Sequence, residues 1–176
     1  SSPGSNLWVS APAGQFGNNY PAILTTTLAG VGRGYVFNRS FPKGHPDYDP
    51  NGNLWIADVG QLCYEEVNVV PVMESSNFGW SEREGFHDVD EENGCNENRS
   101  EPDPQFKDPV IQYSHTNNNC SIIGGFWMDW GPSQLQDGYV YGDFCSGHIW
   151  VAKYIDDNWT EVEVGNVGTM IVGFGK

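Results

Sequence analysis

The chain has 176 residues and a formal net charge of −15, from 23 acidic and eight basic residues, with 22 glycines and 14% aromatic residues. A length of this order predicts one domain with a buried core, and so acidic a chain repels phosphate groups, which argues against nucleic-acid binding. No stretch approaches the roughly 18 apolar residues of a membrane span, and we expect any signal peptide to be absent from this sequence, because it opens without a charged and apolar leader.

Short runs rich in β-branched and aromatic residues follow one another along the chain, punctuated by Gly, Pro, Asn and Asp. Such runs predict strands, and no segment shows a convincing helical pattern. The predicted strands are 6–11, 22–29, 35–37, 53–59, 65–70, 109–115, 121–128, 138–144, 148–154, 159–164 and 169–174. The sequence therefore predicts an all-β fold.

One pattern recurs in "NLWVSA", "NLWIAD" and "HIWVAK". Leu7 and Leu54 are 47 residues apart, and Leu54 and Ile149 are 95 apart. These separations match one and two steps of the roughly 40- to 50-residue period of propeller blades. The repeat favours a β-propeller, with a β-sandwich as the alternative fold.

The acidic residues concentrate between Glu82 and Asp108, where "DVDEENGCNENRSEPDP" offers almost nothing to a core. We interpret 82–108 as an acidic surface loop inserted in a single partial propeller domain that covers residues 1–176. Charge-dense segments of this kind are usually solvated rather than functional.

The cysteines and the glycosylation sequons both indicate an extracellular compartment. Four Cys without CxxC spacing favour disulfides over zinc. If strands 121–128 and 138–144 form a hairpin, Cys120 lies opposite Cys145, which leaves Cys63 to pair with Cys95; the other two connectivities remain open. Together with four Asn-x-Ser/Thr sequons, this predicts a secreted or cell-surface glycoprotein. The sequon asparagines are Asn38, Asn98, Asn119 and Asn158.

Several motifs in order carry a family resemblance. "GNLWIADVGQ…YEEVN", "NFGW…EGFH", "VIQYSH…CSIIGGFW" and "GYVYGDFCSGHIWV" resemble the C-terminal half of the glucose/sorbosone dehydrogenase family over residues 51–154. Its members are six-bladed β-propellers, including soluble quinoprotein aldose dehydrogenases and the propeller of hedgehog-interacting-protein-like proteins. Since six blades need about 240 to 300 residues, the resemblance implies a fragment of three to four blades of four-stranded antiparallel sheets.

The resemblance also implies a site. In the family's enzymes, pyrroloquinoline quinone lies beside a calcium ion held largely by backbone carbonyls of the turn after the "LWI" strand. A hard cation prefers such oxygen ligands and polarises the quinone. The implied metal-binding positions are Gly60 and Gln61, with the carboxylates Asp58, Glu65 and Glu66 nearby; Gly60 and Gln61 are also implied to contact the cofactor.

The chain departs from the enzymes at three points. Of the family's Arg-Asn-Pro segment, only Arg33 remains as a candidate ligand for a cofactor carboxylate. Phe144, Cys145 and Ser146 stand where the best-known enzymes place a Lys, as they also do in the hedgehog-interacting-like branch. The blades that carry the family's catalytic His have no counterpart in this sequence, so the catalytic residues are unknown and we expect no activity from the chain alone.

A second metal hypothesis comes from "DYDPNGNLWIAD", which has the spacing of a calcium loop. Its ligands would be Asp47, Asp49, Asn51 and Asp58, with Gly52 at the turn. The alternative is that Asp49 to Gly52 form only the turn that feeds the next strand.

The histidines and tryptophans allow a functional and a structural interpretation. His45, His87, His115 and His148 are candidate bases, but a His hydrogen-bonded at a blade edge is the simpler interpretation. The tryptophans either line a sugar-stacking groove or fill the space between blades, and we favour the core. These are Trp55, Trp80, Trp127, Trp130 and Trp150.

Two functions follow. The first is a fragment of a secreted, pyrroloquinoline-quinone- and calcium-dependent aldose dehydrogenase-like propeller, whose partner is a sugar substrate. The alternative is a non-catalytic extracellular propeller glycoprotein that binds a protein or glycan, or that builds an assembly with the remainder of its propeller.

Overall fold

A computed structural model of the chain describes residues 48–71, 74, 76–90 and 94–175, together with the backbone of 24–25 and 35–36. These residues form strands and no helix, which confirms the all-β class, and none of them forms a helix able to cross a membrane. The strands are β1 (Leu24–Thr25), β2 (Tyr35–Val36), β3 (Asn53–Asp58), β4 (Tyr64–Pro71), β5 (Arg83–Glu84), β6 (His87–Asp90), β7 (Gly94–Cys95), β8 (Ile111–Ser114), β9 (Ile122–Met128), β10 (Gly138–Asp143), β11 (His148–Ile155) and β12 (Asn158–Asn166).

The last four strands form one antiparallel sheet in the order β12-β11-β10-β9. The predicted hairpin is present, because Gly138 pairs with Met128 and residues 129–137 connect β9 to β10. Both predicted disulfides, Cys63–Cys95 and Cys120–Cys145, are confirmed. Four consecutive antiparallel strands are the arrangement of a propeller blade.

A second sheet has the order β3-β4-β8, and an aromatic core lies between the two sheets. Trp55 of β3 lies 5.2 Å, centroid to centroid, from both Trp127 of β9 and Tyr139 of β10. Trp55 is 4% exposed and Trp150 of β11 is 6% exposed, as expected of core residues, whereas Trp130 is 40% exposed. Two antiparallel sheets packed face to face in this way are consistent with part of a β-propeller.

The segment 82–108 differs from a solvated loop. It contains the small antiparallel sheet β5-β6-β7, and Arg83, Glu84 and His87 are buried. Charged side chains are buried when the fold supplies partners for them, and the pattern of charges alone does not reveal those partners. Residues 96–99 and 101–102 are exposed, as predicted.

One predicted strand is absent. Residues 169–174 form no strand, because Gly168, at φ +67°, turns the chain away from the end of β12, and its N–H donates to Asn166 Oδ1 at 2.7 Å. The segment instead packs against the sheet, where Ile171 and Phe174 lie next to Gly142. The predicted strand at 6–11, and with it the first repeat at Leu7, lies outside the described residues.

Candidate functional site

The turn that joins β3 to β4 wraps around one buried carboxylate. Four consecutive backbone N–H groups donate to the Glu84 carboxylate, at 2.6 Å from Gln61, 2.9 Å from Leu62, 2.8 Å from Cys63 and 3.3 Å from Tyr64. Successive N–H groups that converge in this way form an anion-binding nest. The turn implied to hold a cation through its carbonyls therefore directs its N–H groups at an internal anion.

Three features fix this turn in place. The Cys63–Cys95 disulfide links it to β7. The Tyr64 ring stacks on His87, with centroids 4.0 Å apart. A Cβ atom on Gly60 would lie 1.8 Å from the Tyr64 carbonyl oxygen, so only glycine fits there. The site is thus built on a rigid scaffold rather than on a loose loop.

A small acidic pocket, with a cavity volume of about 10 Å³, opens beside the turn. Asp58, Glu66 and Glu84 line it together with Gly60. Asp58 and Glu66 are direct cross-strand partners in β3 and β4, so their side chains leave the same face of the sheet. We call this cavity the acidic pocket; its remaining lining residues are Val59, Tyr64, Phe78, Trp80 and Arg83.

Glu66 reports the electrostatics of the acidic pocket. It is 5% exposed and accepts hydrogen bonds from Asn68 Nδ2 and from the Gly85 N–H, both at 2.6 Å. Burial, reinforced by the negative charges of Asp58 and Glu84, raises the pKa of Glu66 to about 8. The raised pKa means that the acidic pocket disfavours a further negative charge, and a cation bound there would stabilise the ionised Glu66.

The one basic residue that lines the acidic pocket is already paired. The Arg83 guanidinium donates to Asp88 at 3.1 Å, to Asp108 at 3.4 Å and to the Glu101 carbonyl at 2.6 Å. These contacts tie β5 to the following loop, and they neutralise the arginine within its own segment.

Glu65 lies outside the acidic pocket, although it is adjacent to Glu66 in sequence. Neighbouring residues of a strand point to opposite faces. Glu65 lies 2.6 Å from His115 Nε2 and accepts a 2.8 Å hydrogen bond from the Ile122 N–H. Burial raises the pKa of its carboxyl group. The five residues proposed as metal ligands therefore do not share one site: Asp58, Gly60 and Glu66 lie together, while Glu65 links the two sheets.

The remaining sequence candidates fall into two groups. Gln61 contributes its N–H to Glu84, and its side chain is exposed. Arg33 and Asn38 lie outside the described residues, as do His45 and Asp47. The role of Arg33 as a cofactor ligand therefore stays a prediction.

The calcium-loop spacing around Asp49 corresponds to a turn. The Asp49 carboxylate accepts N–H donors from Asn51 and Asn53, both at 2.9 Å, and the Trp55 indole at 3.3 Å. Asp58 lies at the far end of β3, so the described residues of this loop do not converge on a cation. The alternative interpretation, a turn that feeds β3, is the one observed.

Two of the candidate histidines have both ring nitrogens engaged. His115 uses Nδ1 with the Leu62 carbonyl at 3.1 Å and Nε2 with Glu65. His87 uses Nδ1 with the Asn96 carbonyl at 2.8 Å and Nε2 with the Gln112 side chain at 3.0 Å. His148 lies 3.1 Å from Glu163 and stacks on Trp150. These contacts fit structural roles.

Sequence reasoning missed Glu84 and Arg83, which lie in the stretch interpreted as a solvated loop. A local signal exists, since "EREGFH" is flanked by aromatic residues and precedes the acidic run. The converging N–H donors, however, come from residues 61–64, about 20 positions earlier, and spacing does not reveal such a contact.

Comparison with known proteins identifies several relatives, two of which are from Arabidopsis thaliana. The HIPL2 protein is 31% identical over 119 residues, which are 64% of this chain and 16% of that protein. The HIPL1 protein is 32% identical over 136 residues, 72% of this chain and 18% of that protein. The chain is homologous to the HIPL proteins. It spans less than a fifth of the length of either relative. No family model and no solved structure matches it.

Proposed function

We propose that this chain is part of an extracellular β-propeller that serves recognition rather than sugar oxidation, with a calcium ion in the acidic pocket. The similarity to HIPL proteins agrees with the hedgehog-interacting-protein-like branch of the sequence resemblance. Two disulfides are consistent with an extracellular protein. The protein or glycan partner would bind the complete propeller.

The charge of the acidic pocket is the observation that carries the proposal. Pyrroloquinoline quinone bears three carboxylates, and such a ligand requires cationic side chains around it. The acidic pocket presents Asp58, Glu66 and Glu84, while its one arginine, Arg83, is paired with Asp88 and Asp108. The residues described here therefore do not fit the quinone, and we derive no redox step through it.

A calcium ion fits the same residues better. Calcium takes six to eight oxygen ligands from carboxylates, carbonyls and water. Asp58 and Glu66 would supply carboxylate oxygens, and the backbone at Gly60 would supply a carbonyl. Glu84 would contribute negative charge rather than a ligand, because its oxygens already accept four N–H groups. The bound ion would hold the turn against β4 and make this part of the propeller more rigid.

The test is calorimetric titration of calcium, and then of the quinone, into the longest natural form of the protein, with dye reduction by glucose alongside. We expect calcium binding, no quinone binding and no dye reduction. Glu66→Gln should weaken calcium binding by at least about tenfold, while Glu97→Gln, the same change at an exposed residue, should leave it unchanged. Calcium-dependent quinone binding with dye reduction would support an oxidoreductase instead. A titration that shows no calcium binding would contradict the proposed metal site.

A further inference from the structure

The hairpin of β11 and β12 presents a sequon at its tip. Asp156 and Asp157 occupy the two-residue turn with φ of +50° and +63°, the left-handed conformation of a type I′ hairpin. Asn158 is the first residue of β12 and pairs directly with Ile155, the last residue of β11. Ile155 is 42% exposed, which leaves an apolar side chain on the surface beside the sequon asparagine.

The register sorts the sequon residues between the two faces of the sheet. Asn158 pairs with Ile155, and Thr160 pairs with Lys153, so both polar sequon residues lie on the face of Ile155. The middle residue, Trp159, points to the opposite face, where its ring lies 4.7 Å from Trp55 of the core. The indole thus anchors the hairpin and holds the sequon outward.

The Asn158 amide is compatible with modification in the folded state. Its Nδ2 donates to the Asp156 carbonyl at 2.9 Å, and a primary amide has two N–H donors. In N-glycosylation, the Nδ2–C1 bond forms as the oligosaccharide leaves its polyprenyl diphosphate carrier and the nitrogen loses one proton. The remaining N–H can keep its contact with Asp156 while the sugar takes the other direction.

We propose that Asn158 carries an N-glycan whose first N-acetylglucosamine packs its apolar face over Ile155. Direct cross-strand side chains have Cβ atoms about 4.5–5.5 Å apart, so the sugar attached to one residue reaches its partner. Covering Ile155 removes apolar surface from water and stiffens the hairpin tip. The inference rests on passage of the protein through the secretory pathway, which is part of the proposed function, and does not depend on calcium or on a partner.

The experiment uses the full natural protein secreted from eukaryotic cells whose N-glycans are kept in the high-mannose form. Glycopeptide mass spectrometry gives the occupancy of each sequon, and hydrogen–deuterium exchange gives the protection of amides 153–160. We expect a glycan at Asn158 and about fivefold faster exchange of the hairpin when it is removed by Asn158→Gln or Thr160→Ala. In an Ile155→Ser background the same removal should have no effect. Trimming with endoglycosidase H, which leaves the first sugar, should preserve the protection.

Four results would overturn the proposal. If glycan removal speeds hydrogen exchange equally in the wild type and in the Ile155→Ser background, the sugar does not pack on this side chain. If trimming to one sugar also speeds exchange, the first sugar does not protect the hairpin. A bare Asn158 in a protein glycosylated at Asn98 would reject the site while leaving secretion intact. Absence of glycan at every sequon would also reject the glycan at Asn158, whatever the calcium titration shows. Asn98→Gln serves as the control that removes an exposed sequon elsewhere.

Discussion

The backbone N–H of Cys63 donates to the Glu84 carboxylate at 2.8 Å, next to the disulfide that joins Cys63 to Cys95. The same arrangement recurs at the second disulfide, where Asp143 is fully buried and accepts the N–H groups of Cys120 at 3.0 Å and Cys145 at 2.9 Å. In both places a buried carboxylate organises the backbone that brings two cysteines together. Charge-assisted hydrogen bonds of this kind are roughly twice as strong as neutral ones.

Removing the charge of Glu84 should loosen the turn. In Glu84→Gln, one acceptor oxygen is replaced by an NH₂ group that faces the N–H donors of residues 61–64. Leaving a buried donor unsatisfied costs about 1–3 kcal/mol, and we expect a loss of about 2–3 kcal/mol in the free energy of unfolding. Urea unfolding measures this loss, with Glu97→Gln as the exposed control. A Glu84→Gln protein within about 0.5 kcal/mol of the wild type, on the scale of a surface substitution, would show that the nest contributes little.

Gly60 should tolerate no side chain. A Cβ there would meet the Tyr64 carbonyl at 1.8 Å, so Gly60→Ala must displace the turn and weaken its contacts with Glu84. We expect a loss of about 2–4 kcal/mol, in the range of overpacked buried sites. Gly165→Ala is the matched control, because a Cβ at Gly165 meets nothing within 4 Å. If both variants unfold at the same denaturant concentration, the close approach at Gly60 is not a constraint.

Sequence patterns predicted the parts of the fold that depend on local chemistry. β3, β4 and β8 to β12 lie where apolar and β-branched runs placed them, within a few residues. The cysteine pair of the β9–β10 hairpin also followed, since a hairpin brings its ends together. The strand at 169–174 was wrong because an apolar alternation shows only that a segment packs, and Ile171 and Phe174 do so without pairing.

The acidic pocket depends on contacts between distant residues, and these were only partly predictable. The resemblance brought out Asp58, Gly60 and Glu66, which line one cavity. It also grouped Glu65 with them, although strand alternation sends that side chain to the other sheet. Glu84 was missed because its environment is made by backbone groups about 20 residues away, and backbone donors leave no mark in the identity of the residues that carry them.

Glu66 should make the protein less stable as the pH rises when calcium is removed. Its pKa is raised from 4.5 to about 8 in the folded state, so the unfolded chain loses this proton first and stability falls between about pH 4.5 and pH 8. Glu66→Gln removes the titration and keeps the shape. With a chelator present, we expect the free energy of unfolding of the variant to exceed that of the wild type by about 4 kcal/mol at about pH 8 and to match it at about pH 4.5.

The measurement is urea unfolding at several pH values in the presence of a chelator. Added calcium should make the wild type more stable than Glu66→Gln at about pH 8, because calcium stabilises only the protein that retains the carboxylate. A wild type and a Glu66→Gln variant with parallel pH profiles would contradict the raised pKa.

The sequon at Asn119 should remain largely unmodified in the folded protein, in contrast to the exposed Asn98. Asn119 Oδ1 is buried, its Nδ2 lies 3.5 Å from the Ser114 carbonyl, and the next residue, Cys120, is tied to Cys145. A glycan there would have to displace this packing, so closure of the disulfide and glycosylation compete for the same segment. We expect mass spectrometry of the secreted protein to find glycan at Asn98 and little at Asn119, and occupancy at Asn119 to increase in Cys145→Ser, where the segment stays open longer. Full occupancy of Asn119 alongside an intact Cys120–Cys145 disulfide would show that the segment accommodates a sugar, and that burial of the asparagine does not govern its modification.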